Sequence, residues 1–222
     1  MLHRQLHQGF LEINADQPGV TQRDLTMKTR AWFASCLLLG LSGVALAHTG
    51  SGDAHTHAPF WAGLLHPLGG ADHLVAMLAV GAWSALAVRP VWAAPLAFVA
   101  MLCVGALAAL GGLAVPAVEP MIAASLLAIG LLVATQARLP ALLAVALTGV
   151  FAFFHGAAHG TELTSGAHAW AALLGVVITT AALHATGIGL GQWRLKRHRW
   201  LSASAGGAVA ALGSVLLLRL AA

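Results

Sequence analysis

The stretch HPLGGADHLVAMLAVGAW, His66–Trp83, decides how this chain is read. It sets two histidines and an aspartate inside an apolar run from Phe60 to Val88. About 20 apolar residues already cross a bilayer. Ionisable side chains at membrane depth are costly and mark functional sites. Pro67 and the pair Gly69-Gly70 accompany them, so the spacing predicts a first helix interrupted at His66–Gly70.

Composition puts the rest of the chain in lipid as well. Of 222 residues, 59% are hydrophobic and 8% charged, against roughly 25% charged in a soluble domain. Tyrosine is absent, while Ala, Leu and Gly abound. The alternation of a transmembrane barrel is missing. The expected fold is an all-α membrane protein with six transmembrane helices after a cleavable signal peptide. They are placed at 60–88, 91–113, 118–137, 140–158, 167–191 and 200–219. Cys36 and Cys103 form no CxxC pair, and no disulfide is expected.

Upstream, residues 1–26 are polar and without periodicity; they read as a non-native or dispensable extension. At Met27 a basic segment, MKTR, leads into AWFASCLLLGLSGV and the small-x-small site Ala45-Leu46-Ala47. This is the pattern of a secretory signal peptide over 27–47. Cleavage there leaves His48 at the mature N-terminus of a His-containing leader, 48–59. A terminal histidine can chelate through its α-amine and ring together, and His55 and His57 follow. The alternative is a solvated tail.

Export of the leader starts the first span outside. The loops facing inward then hold Arg89, Arg138, Arg194, Lys196, Arg197 and Arg199, leaving only Arg219 outside. This obeys the positive-inside rule. The net charge of +4 thus reports topology, and no nucleic-acid partner is expected.

A second cluster ends the fourth span. In FFHGAAHGTEL, His155, His159 and Glu162 are spaced i, i+4, i+7, one stripe of a helix. On straight rods at 1.5 Å per residue, His66 lies ~9 Å and His73 ~20 Å below the outer face, with the second cluster nearer that face. Both clusters therefore fall in the outer half. Asp72 either binds an ion or orients a ligand histidine. Met77 reads as packing, although its thioether suits Cu(I). His184, in TAALHATGIG, is either an exit step or an interhelical hydrogen-bonding residue. Glu119 reads as a helix-start residue. Spans one and four head three-helix halves of reversed orientation, a plan that transporters use.

HPxxGxDHxxxMxxVGxW, HGxAHGxE, the AHTG after the signal peptide, LHATG and the six-span plan resemble the HupE/UreJ family of bacterial nickel and cobalt permeases, from His48 to about Ala222. The resemblance implies uptake of Ni²⁺, or Co²⁺ in some branches, across the inner membrane for hydrogenase or urease maturation. It also implies that His66, Asp72, His73, His155, His159 and Glu162 handle the metal; the residues themselves add His48 and His184. No prosthetic group is expected, since the ion is cargo. The expected partners are a divalent metal ion and the lipid bilayer, with a homo-oligomer as an option. The alternatives are an intramembrane metal-dependent hydrolase, with Glu162 as general base, a copper importer of the same family, and a subunit that senses metal without transporting it. No GxxxxGK[ST] loop is present, which argues against ATP hydrolysis by this chain.

Overall fold

Gly70 breaks the first span. The computed structural model describes residues 59–162 and 168–222. The extension 1–26, the signal peptide 27–47 and the leader up to residue 58, His48 included, lie outside the described residues. The first described helix, α1 (Pro59–Gly69), runs through His66 and Pro67 without interruption, and α2 (Ala71–Ala87) starts after Gly70 at an angle of 80° to it. The break is narrower than the expected His66–Gly70. Pro67 lies near the end of α1, where its missing N–H removes a single ladder bond. Gly70 has an extended backbone, and a Cβ there would lie 2.9 Å from Asp72 Oδ1. Asp72 thus occupies the first turn of α2, the positive end of its dipole.

Five more helices follow: α3 (Ala93–Leu110), α4 (Val118–Thr135), α5 (Ala141–Glu162), α6 (Ala169–Leu190) and α7 (Arg199–Ala221). One π-helical turn, Gly191–Leu195, extends α6. All five are long and apolar enough to cross a bilayer, and the bent α1–α2 pair makes the sixth span. The protein is an all-α membrane protein, with no strand among the described residues. Exposed tryptophans lie toward both ends of the bundle. Trp61 and Trp170 stand in the first turns of α1 and α6; Trp92, Trp193 and Trp200 stand near Arg89 and the Arg194–Arg199 cluster. Such belts mark the two membrane–water interfaces.

Small residues decide which helices pair. The α1–α2 span packs on α6, α3 on α5, and α4 on α7. A Cβ on Gly105 would lie 1.9 Å from the carbonyl oxygen of Phe153, and one on Gly156 2.0 Å from that of Leu102. Across the other pair, Gly187 meets Leu78 and Gly81 meets His184, each at 2.2 Å. The two sets share one register. Gly81 and Gly156 are 75 residues apart, as are Leu78 and Phe153; Gly105 and Gly187 are 82 apart, as are Leu102 and His184. Exchanging the first three spans with the last three maps the first pairing onto the second and returns the α4–α7 pair to itself. The packing is consistent with two halves related by an approximate two-fold axis, the arrangement of an inverted repeat.

Polar side chains tie these pairs at a few points. Thr179 Oγ1 donates to the Leu64 carbonyl at 2.6 Å, holding α1 on α6. The fully buried Trp83 donates from Nε1 to the Ala137 carbonyl at 2.9 Å, which satisfies its one polar atom. Ser202 Oγ bonds the Val133 carbonyl at 2.5 Å, joining α7 to α4. Ser84 Oγ donates to the Val91 carbonyl across the turn after α2.

Candidate metal-handling site

The bend at Gly70 and the length of α5 together build the site. Because α5 stays helical through Glu162, His155, His159 and Glu162 lie along one stripe, and that stripe faces α1 and α2. At its end, His66 Nε2 and Glu162 Oε2 are 2.6 Å apart, with both side chains partly exposed. One turn deeper the His159 ring lies 5.0 Å from the His66 ring and 4.7 Å from the His73 ring. A straight first helix would separate His66 and His73 by ~10 Å along its axis. The 80° bend instead brings both rings around the same imidazole, so depths counted along straight rods do not hold for this span.

The geometry gives Asp72 a specific position. Its Oδ1 accepts the backbone N–H of His73 at 2.8 Å and lies 3.0 Å from His73 Nδ1. A carboxylate can only accept, so Nδ1 carries a proton, and in the neutral ring Nε2 keeps the lone pair. That Nε2 is buried without a protein partner among the described residues. The His73 ring lies 4.9 Å from the His155 ring.

Beyond His155 the line continues through residues that sequence patterns did not single out. Phe98 of α3, fully buried, stands 5.5 Å from the His155 ring and 5.0 Å from the His184 ring. His184 is 1% exposed, and neither ring nitrogen has a protein partner among the described residues; it makes no hydrogen bond to a Ser or Thr there. Ser125 of α4 lies with its Oγ 3.0 Å from His155 Nε2. A phenylalanine or a serine inside a span carries no spacing signal that sets it apart from packing. Met77 is fully buried, and its sulfur accepts the Thr180 hydroxyl at 3.4 Å. Glu119 is exposed in the first turn of α4, where Ala117 makes no side-chain cap.

The donor set can take a metal. One ligand atom each from His66, His159 and Glu162 lie within 4.8 Å of one another. Metal–ligand bonds of ~2.0–2.2 Å need donors about 3–4 Å apart, so small side-chain motions close the set. His159 keeps both nitrogens buried without a protein partner among the described residues. Burying an unbonded polar group costs about 1–3 kcal/mol, and such groups concentrate at functional sites in membranes.

A sequence model of the HupE / UreJ protein family matches residues 36–216. Protein HupE of Rhizobium leguminosarum bv. viciae is 40% identical over 182 residues, covering 81% of this chain and 93% of that protein. No solved structure gives a significant match. The chain belongs to the HupE/UreJ family.

Proposed function

We propose that this HupE/UreJ protein takes up a divalent transition-metal ion, Ni²⁺ before Co²⁺, across the bacterial inner membrane for metalloenzyme maturation. The observation that carries the reading is the convergence of His66, His159 and Glu162 donors within 4.8 Å at the partly exposed end of a line of imidazoles. Nitrogen and carboxylate donors suit Ni²⁺ and Co²⁺ better than Mg²⁺ or Cu(I). Met77 sulfur is already bonded to Thr180, which weighs against a copper path.

In this reading 1–26 is dispensable, 27–47 is removed as a signal peptide, and the leader from His48 captures the ion in the periplasm. The ion replaces the contact between His66 and Glu162 and gains His159. His159 touches both His66 and His73, so it passes the ion to His73 and His155. Asp72 acts through His73, holding its proton on Nδ1 and raising its basicity. His184, past Phe98, is the next station inward. Beyond the three-donor set of His66, His159 and Glu162 stand His73, His155 and His184, more imidazoles than one hydrolytic site uses. That favours passage over hydrolysis. The membrane potential supplies about 4.6 kcal/mol per 100 mV for a divalent cation.

The test is ⁶³Ni²⁺ uptake by cells producing wild type, Asp72→Asn or His155→Ala at matched membrane abundance. Uptake by wild type that falls in both variants supports the reading. Variants that accumulate the ion like wild type would falsify the site assignment.

A further inference from the structure

We infer that Ser125 is a positioning residue that fixes the proton of His155 on Nε2 and leaves Nδ1 as the metal-facing atom. The inference rests on the transport reading above for its purpose, but not for its geometry. Ser125 Oγ has two neighbours: the Ile122 carbonyl oxygen at 2.6 Å and His155 Nε2 at 3.0 Å. A serine hydroxyl has one proton and two lone pairs. The Ile122 carbonyl can only accept, so the hydroxyl proton points to it. Oγ then meets Nε2 with a lone pair, and the contact is attractive only when Nε2 carries N–H. A neutral imidazole has one N–H, which leaves Nδ1 bare.

Two further observations agree. His155 Nδ1 is buried without a protein partner among the described residues, and the His155 ring faces His73. Ser125 is itself 3% exposed and belongs to α4, outside both histidine clusters. Asp72 treats His73 in the opposite sense, with the proton on Nδ1 and Nε2 bare. Two neighbouring imidazoles are thus locked in opposite tautomers by different elements, one by a carboxylate and one by a hydroxyl. Each keeps its free lone pair on a nitrogen that no described residue bonds. Partners of this kind hold a ligand ring and its tautomer, and their loss typically weakens metal binding about 10–100-fold.

The test uses full-length protein with ring-¹⁵N-labelled histidine, with His155→Ala identifying the His155 signal. Metal-free wild type should show His155 as one tautomer protonated on Nε2. Ser125→Ala should show mixed tautomers and about 10–100-fold weaker Ni²⁺ binding by calorimetry, with an unchanged unfolding midpoint. Ser125→Thr, which keeps a hydroxyl, should restore both. A wild-type proton on Nδ1, or full Ni²⁺ affinity in Ser125→Ala, overturns the inference. Wild type that shows the Nε2 tautomer but moves no Ni²⁺ into cells would instead overturn the transport reading and leave this one standing.

Discussion

His66 Nε2 and Glu162 Oε2 meet at 2.6 Å although 96 residues separate them in the chain. One group comes from the short helix before the bend and the other from the last turn of α5. Their pairing closes the partly exposed end of the histidine line, and in the proposed transport reading an arriving cation exchanges for it. Glu162→Gln keeps the shape and removes the charge. Ni²⁺ uptake should fall at least about tenfold, which corresponds to about 1.4 kcal/mol. Initial rates in cells check this, with membrane abundance confirmed by immunoblot.

In the proposed reading Asp72 serves the path through its contact with His73. Asp72→Asn retains an oxygen that can accept from Nδ1 but loses the charge that strengthens the bond. Ni²⁺ affinity should drop about 10–100-fold while the helical circular dichroism stays unchanged. Calorimetry on detergent-solubilised protein reads the affinity. Unaltered binding would mean that Asp72 neither orients His73 nor touches the ion.

A variant at His184 tests binding and movement separately. His184 lies beyond Phe98, away from the mouth formed by His66, His159 and Glu162. His184→Ala should therefore bind Ni²⁺ with wild-type affinity yet lose most of its uptake. Equal uptake in the variant would remove His184 from the path and return it to a packing role.

The helix pairing makes a prediction about stability alone. Gly105→Ala puts a Cβ 1.9 Å from the Phe153 carbonyl oxygen, and overpacking of this kind costs about 1–3 kcal/mol or more. Gly207 faces open space in α7, so Gly207→Ala should be neutral or stabilise by up to about 1 kcal/mol. Denaturation midpoints in one detergent compare the two. Similar midpoints for both variants would contradict the close approach of α3 and α5.

Much of this was legible in the sequence because the signals are local. Apolar runs predict spans, and the i, i+4, i+7 spacing of His155, His159 and Glu162 places them on one stripe. Pro67 and Gly69-Gly70 announce a break, but not that it falls at Gly70 alone or turns the helix by 80°. That angle goes with long-range packing, since both α1 and α2 lie on α6 and Gly63 of α1 meets the Ala172 backbone there. Ser125 and Phe98 were not legible for a related reason. Each is a single residue of a common type, and its meaning comes from a histidine on another helix. The proposed ion path depends on which spans pair, and the pairing is written in glycines that look alike along the chain.

The most direct measurement is ⁶³Ni²⁺ entry into liposomes holding the purified protein, comparing wild type with His159→Ala, the residue that both His66 and His73 touch. Wild type should show saturable accumulation above that of protein-free liposomes, and the variant background levels. Wild type at background, or His159→Ala filling the liposomes as fast as wild type, would contradict it.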